Sequence, residues 1–346
     1  MTIKPRAKIR IEEVARTAGV SAATVSRALN NPALVSPQLR AKVEKAAKKL
    51  GYVAHGAARA LASRRSHALG AVVPTLGNTI FSDAIGAFQR RLEAENYTML
   101  LATSDYDEEV EYRNVRTMIE RGVDGLMLVG ATHGKALYDL LEASGVPFVQ
   151  TWAPAKASPY PTIGYDNTAL TRIVVDHLAG LGHRDIGMVA GLRRNNDRVR
   201  ARLVGMRAAM RRHRLPLPAS RIVFTDYRID AVRAAFREMQ RRGPMPTALV
   251  ANNDIVALGL MLEAQSQGIR VPRQLSIVGV GDLEVAAHLH PPLTTIRTPK
   301  QTIGTLAAEY LLARIHDRPV ELPAELALEL VLRGTTAPPP RKDKTV

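Results

Sequence analysis

Residues 11–30 read IEEVARTAGVSAATVSRALN, two short amphipathic helices with a sharp break between them, and the rest of the chain is organised around that pair. Ile11, Val14, Ala15 and Ala18 recur at helical spacing, and Gly19 then interrupts. Ser21 is placed to N-cap a second helix that turns Val25 and Leu29 inward. The interval from Ala15 through Gly19 to Val25 suits a helix-turn-helix. The small alanine lets the helices approach, glycine supplies a positive φ, and valine fills the wedge. Such a pair is built to present its second helix to a DNA major groove. An ordinary helical hairpin would satisfy the same twenty residues, so the charge distribution has to weigh between them.

That distribution is uneven. The chain of 346 residues carries a formal net charge of +16. Residues 1–65 hold 14 Lys and Arg against 3 Glu and no Asp, a net of +11, which leaves +5 for the remaining 281 residues. A basic N-terminal module on a nearly balanced body is the footprint of nucleic-acid binding, because neutralising phosphates releases counterions. With 46% hydrophobic and 23% charged residues the composition is that of a soluble globular protein long enough for two or three domains. No apolar run reaches membrane-span length. The N-terminus, MTIKPRAKIRIEE, has no apolar stretch of the kind a secretory leader needs. The absence of cysteine excludes disulfides and thiolate metal sites and fits a reducing cytoplasm.

Outward from the helix pair, Asn31-Pro32 marks a turn, and Ser36 with Pro37 reads as N-cap and first helical position. Leu39, Val43, Ala46, Ala47 and Leu50 form one stripe of a third helix, ended by Gly51, that can cover the first two. Residues 54–66, AHGAARALASRRS, lack a core-forming stripe and suit a linker that orders when its partner is present. From Leu69 apolar runs of strand length alternate with amphipathic helical stretches, and the rhythm restarts after Pro161. Helices are expected over 79–95, 107–121, 135–143, 167–181 (with Asn167 as N-cap), 197–213, 228–242, 254–266 and 299–316. AELALELVLR at 324–333 reads as a last strand before a disordered PPPRKDK tail. Such alternation argues parallel sheets covered on both faces, and two series imply two lobes with a cleft where strand ends collect. The fold class is therefore α/β, with an N-terminal all-α helix-turn-helix headpiece and a two-lobed core of doubly wound parallel sheets.

No enzyme constellation is visible: no nucleophile elbow, no zinc-protease motif, and no phosphate loop, since Thr132–Lys135 lacks the glycine spacing. Gly279–Asp282 follows a strand but is not a dinucleotide fingerprint. His288 and His290 flank Leu289 in a loop and read as solvated or structural, and His177 reads as a satisfied core histidine. Neither a catalytic role nor a metal or other cofactor is expected. A solute-binding protein would share the two-lobed core, but the basic headpiece argues against it.

In IEEVARTAGVSAATVSRALNN, VSPQLRAKVEKAAKKLGYV, ARALAS, LGHRDIGMVAG, VANNDIVALG, VPRQLSIVGVGD and LTTIRTPKQTIG, the chain resembles the LacI/GalR family of bacterial transcription regulators. The resemblance spans nearly the whole length. It implies a headpiece (residues 1–53), a hinge helix (54–66) and a periplasmic-binding-protein-like core (67–337), followed by a disordered tail (338–346). Lobe 1 would comprise about 67–165 and 298–323, and lobe 2 about 166–297 and 324–337. It also implies a homodimer on a pseudo-palindromic double-stranded operator, with a repressor's function and a small-molecule effector between the lobes. No leucine heptad follows residue 333, so a dimer rather than a tetramer is expected. At the family's DNA-contacting positions stand Ala22, Ala23, Thr24, Ser26 and Arg27, with Asn30 and Ser36 as backbone contacts and Leu61 as the minor-groove wedge. Ala54, His55 and Gly56 depart from the family's Pro-Asn-Arg at the start of the hinge.

Family positions lining the effector cleft correspond to Phe81, Trp152, Arg202, Tyr227, Asn253 and Thr298. Gly281 stands where many relatives carry a ligand-binding aspartate. Nearby, RRNNDRVRARL gathers Arg193, Arg194, Arg198, Arg200 and Arg202 at a helix N-terminus, where an anion is favoured. Arg198 and Arg202 are one turn apart and able to share a carboxylate or phosphate. The expectation is an acidic effector, a sugar acid of the gluconate kind, which points to the gluconate-repressor-like branch.

Overall fold

The computed structural model describes residues 9–30, 34–52, 65–77, 80–192 and 194–340. The chain forms two compact units, residues 1–67 and 68–346. Of the hinge, residues 54–64, with Ala54, His55, Gly56 and Leu61, lie outside the described residues, as do Arg193 and the tail from 341.

In the first unit, α1 (Ile11–Ala18), α2 (Ala22–Asn30) and α3 (Pro37–Leu50) enclose a core of Val14, Ala15, Ala18, Val25, Ala28, Val43, Ala46 and Ala47. Each boundary has a local cause. Gly19 sits at φ 62°; its N–H donates to Arg16 O at 3.3 Å, and Val20 N–H donates to Ala15 O at 3.0 Å, a Schellman stop. Ser21 Oγ accepts the Thr24 N–H at 3.1 Å and so caps α2. Ser36 Oγ does the same for α3 from Leu39 N–H at 3.4 Å, and Gly51, at φ 66°, ends it.

The second unit holds two sheets. The first runs β2 (Thr98–Thr103), β1 (Ala68–Val73), β3 (Gly125–Val129), β4 (Phe148–Thr151), β5 (Thr162–Ile163), all parallel. Its helices are α4 (Ser82–Glu93), α5 (Glu108–Glu120) and α6 (Lys135–Ser144). The second sheet follows α7 (Asn167–Gly180) and runs β11 (Glu329–Val331), β10 (Thr294–Arg297), β9 (Ser276–Gly281), β8 (Ala248–Ala251), β6 (Ile186–Gly191), β7 (Ile222–Thr225). It is parallel except for the β10–β11 pair. Around it lie α8 (Asp197–Arg212), α9 (Ile229–Arg241), α10 (Asp254–Ser266) and the short α11 (Glu284–His288). After β10 the chain returns to the first sheet, where α12 (Lys300–Ile315) packs along α4. The fully buried β3, β6, β8 and β9 are what strands covered on both faces require.

Two local expectations are corrected. The N-cap of α7 is Asp166, whose carboxylate accepts Thr168 N–H at 2.7 Å and Ala169 N–H at 3.2 Å; Asn167 is the first helical residue and faces elsewhere. The strand expected over 324–333 pairs only at Glu329–Val331, because β10 offers partners only from Thr295 to Arg297 before Thr298-Pro299 leads into α12. The chain past 337 is described as far as Pro340, and Pro339 is half-buried. Among the described residues no helix is long and apolar enough to cross a membrane.

The α4–α12 contact sets a stability prediction. A Cβ at Gly304 would stand 2.0 Å from the Ala84 carbonyl oxygen, a backbone atom that cannot swing aside. Gly304→Ala should therefore destabilise the second unit by about 1–3 kcal/mol, by forcing the helices apart. Urea unfolding of the full chain reads this, and an unchanged midpoint would contradict so close an approach.

Candidate functional site

The headpiece presents α2 outward. Ala23 and Arg27 are exposed, and Ala22 is half-buried against the headpiece core, so of the two alanines only Ala23 has its methyl fully outward. Thr24 Oγ1 lies 2.8 Å from Ser21 Oγ, within the cap, and Ser26 is half-buried. Ser36 is exposed, with its hydroxyl already holding the start of α3. Among the described residues Arg27 makes no ion pair, and its guanidinium stands in solvent at the end of a rigid helix. That is the arrangement a bidentate donor to guanine O6 and N7 needs.

The cleft lies where strand ends of both sheets meet. Phe81, Tyr106 and Trp152 come from the first lobe; Asn196, Arg198, Arg202, Tyr227, Asn252 and Asn253 come from the second. The cavity they leave is about 20 Å³, room for about one water molecule. Admitting a ligand therefore requires the lobes to part or side chains to swing. Trp152, at φ 62°, is 1% exposed and meets Phe81 edge to face at 5.0 Å. Arg202 is held from three sides: Nε donates to Asn167 Oδ1 at 2.9 Å, Nη1 to the Asn252 carbonyl, and Nη2 to Tyr165 Oη at 3.5 Å. Asn167 in turn donates to the Trp152 carbonyl at 2.9 Å, so the residue freed from capping α7 ties the cleft's arginine to its tryptophan.

Arg198 Nη1 donates to Asp197 Oδ1 at 2.8 Å. Burial opposes its charge, but Asp197 and the phenols of Tyr106 and Tyr227 outweigh that and raise its pKa. Burial, and then the neighbouring Tyr227 phenol, push the Tyr106 pKa up as well, so Tyr106 stays a neutral hydroxyl. Two bonds join the lobes at the N-terminus of α8: Ala131 N–H donates to Asp197 Oδ2 at 2.7 Å, and Asn195 Nδ2 donates to Tyr106 O at 2.9 Å.

Of the arginines expected here, Arg198 and Arg202 enter the cleft, whereas Arg194 and Arg200 are exposed. Asn253 lines the cavity but spends Oδ1 on capping α10, accepting Val256 N–H at 2.8 Å. Thr298 lines a neighbouring groove, with Gly281 and Asp282, instead of this cavity. Gly281 has φ 132°, a conformation that an aspartate would adopt only under strain. Tyr106, Asn196 and Asn252 were not anticipated; for the two asparagines, the Asn-Asn pairs preceding Asp197 and Asp254 were the available signal. His177 Nε2 lies 3.1 Å from Thr336 Oγ1, while His288 and His290 are exposed. Among the described residues no three metal-ligating side chains gather.

A description of the bacterial regulatory proteins of the lacI family matches residues 10–55, and one of a periplasmic binding protein-like domain matches residues 175–336. The ribose operon repressor of Escherichia coli is 32% identical over 308 residues, covering 88% of this chain and 92% of the relative. The HTH-type transcriptional regulator GntR of Pseudomonas aeruginosa is 32% identical over 328 residues, covering 94% of this chain and 95% of its own. The crystal structure of the Lac repressor dimer bound to operator and the anti-inducer ONPF is similar with a TM-score of 0.83 at 28% identity, covering 95% of this chain and 99% of that one. The chain belongs to the LacI family of bacterial regulatory proteins, and is a DNA-binding transcriptional regulator rather than an enzyme.

Proposed function

We propose that this regulator is a cytoplasmic repressor, that it binds a pseudo-palindromic operator as a homodimer, and that a sugar or sugar acid held in the cleft controls its grip on DNA. The observation that carries the effector half is the cleft itself, where, among the described residues, Trp152 Nε1 and Asn252 Oδ1 are buried without hydrogen-bond partners between two lobes joined by few polar bonds. A ligand that parts or recloses the lobes competes with those bonds. Its binding energy is then coupled to the lobe positions, and reciprocally to the DNA affinity. The Lac repressor dimer, seen with operator and an anti-inducer together, supports a two-site scheme of this kind. The domains follow the same scheme: headpiece 1–53, hinge 54–66, core 67–337.

The test is fluorescence anisotropy of an operator fragment selected by the protein from genomic DNA, titrated with and without sugars and sugar acids. A ligand that saturates the cleft without altering operator affinity would sink the effector role. Leu61→Ala should weaken operator binding by about tenfold or more, since without the wedge nothing offsets the few-kcal/mol cost of unstacking a base step to bend the DNA. Ligand binding in the cleft should stay as in the parent protein. Equal operator affinity in the variant would refute the wedge.

A further inference from the structure

The bond from Ala131 to Asp197, one of the two that join the lobes, is held from within the first lobe by side chains that do not line the cavity. Gly130 and Ala131 follow β3 and carry four backbone polar groups between them. Gly130 N–H donates to Thr151 O of β4 at 2.9 Å. Gly130 O lies 3.3 Å from His133 Nε2, and Ala131 O accepts the Tyr138 hydroxyl at 3.2 Å. The fourth group, Ala131 N–H, crosses to Asp197 Oδ2 at 2.7 Å. Three of the four are fixed inside the first lobe, and the one left over reaches the second.

The Gly130 carbonyl and the Ala131 N–H are the two ends of one planar peptide unit, so aiming the first aims the second. A carbonyl oxygen only accepts, so His133 Nε2 carries the hydrogen of that bond. The other ring nitrogen, Nδ1, lies 2.9 Å from Glu111 Oε2 on α5, which orients the ring. The His133 side chain is 1% exposed, and the surrounding protein leaves it little room to turn. Tyr138, on α6, has its own support. Gln150 Nε2 donates to its hydroxyl at 2.7 Å, Gln150 Oε1 accepts Thr162 Oγ1 at 3.1 Å, and both of these residues are buried. Gly130, at φ 106°, leaves the peptide bare toward the second lobe: a Cβ there would stand 2.6 Å from Arg198 Nη1 and 3.0 Å from Asp197 Oδ1.

We propose that His133 and Tyr138 are positioning residues for the closed cleft. They hold the Gly130–Ala131 peptide in the attitude that Asp197 accepts, and thereby set how readily the lobes part. Neither lines the cavity, so their influence reaches it through that peptide. A buried polar chain of this kind acts as a unit, and each bond in it depends on the one before. Opening of the cleft needs neither ligand nor DNA, so it can be read on the protein alone.

Trp152, the chain's single tryptophan, is 1% exposed and lines the cavity together with residues of the second lobe. Its quenching by acrylamide, a small neutral molecule, therefore reads how often the cleft stands open. Quenching is measured on the full-length protein, with urea unfolding of the same samples. His133→Phe keeps a ring and loses both nitrogens, and is expected to raise the quenching constant by about two- to tenfold, the scale of one net hydrogen bond. Tyr138→Phe leaves the His133 bond in place and should raise it by about twofold. His133→Gln retains an N–H donor and should recover part of the protection. Asp197→Ala removes the acceptor, so His133→Phe made on top of it should add little, because the bond it aims is already gone. Quenching unchanged in His133→Phe, or unchanged in Tyr138→Phe, overturns the proposal. So does a full, independent effect of His133→Phe in the Asp197→Ala background, which would make His133 a packing residue of the first lobe alone. If His133→Phe does not fold, Tyr138→Phe, at a half-buried side chain, decides by the same two criteria.

Discussion

Arg27→Ala is expected to cost the protein most of its sequence-specific DNA binding while leaving the headpiece folded. Folding is insulated because the Arg27 side chain is exposed, whereas Val25 and Ala28 on the opposite face of α2 are 0% and 2% exposed and hold the helix to the core. Binding is not insulated. A bidentate arginine–guanine pair discriminates by about 1–3 kcal/mol, and a homodimer on a pseudo-palindrome makes it twice, so the loss should be roughly 30-fold to ~10⁴-fold on the operator. Non-specific DNA should be held almost as before, because its affinity comes from the other basic residues of the headpiece and depends chiefly on salt. Arg27→Lys should fall nearer to alanine than to arginine, since an ammonium cannot reproduce the fork. Anisotropy titrations against the selected operator and a scrambled duplex separate the two effects. A uniform loss on both would reassign Arg27 to the phosphate backbone.

The headpiece was legible in the sequence because its determinants are local. Ser21, Ser36, Gly19 and Gly51 each act within four residues of their own position, and each does in the structure what its residue type suggests. The alternating strands and helices of the core were legible for a related reason, since a strand covered on both faces must be apolar throughout. What escaped depends on partners distant in sequence. Asp166 and Asn167 are chemically similar caps, and the choice between them is made by Arg202 and the Trp152 carbonyl, which draw Asn167 into the cleft. The length of β11 is set by β10 and not by its own alternation. Tyr106 enters the cleft from a loop of the first lobe at φ 60°, and meets Tyr227 of the second with ring centroids 6.2 Å apart. No periodicity marks either tyrosine as the other's neighbour.

Gly191→Ala is expected to disable the cleft through one carbon atom. Gly191 ends β6, and a Cβ there would stand 2.1 Å from the Tyr227 hydroxyl and 2.4 Å from its ring carbon Cζ, so the phenol must leave its place. With it go the hydrogen bonds that Asn252 Nδ2 at 3.0 Å and Asn196 Nδ2 at 3.4 Å donate to that oxygen. Asn252, whose Oδ1 has no hydrogen-bond partner among the described residues, would then hold an unsatisfied amide in the wall of the cavity. A ligand group deprived of that wall loses about 1–3 kcal/mol, so ligand affinity should fall by roughly 10- to 10²-fold. The unpaired amide weakens the fold by a similar amount, and the chain stays folded. Gly191 is not among the residues with positive φ, its parallel pairing with Thr225 of β7 is made by backbone atoms, and the half-buried Tyr227 has solvent to swing into. Trp152 fluorescence titration and urea unfolding of the same sample read the two quantities together. Tyr227→Phe keeps the ring and loses only its hydroxyl, so its affinity should lie between parent and Gly191→Ala. A Gly191→Ala protein that binds as the parent does would mean that the Tyr227 ring can leave the cleft without consequence, and the polar wall built from Asn196, Asn252 and Tyr227 would have no part in holding the ligand.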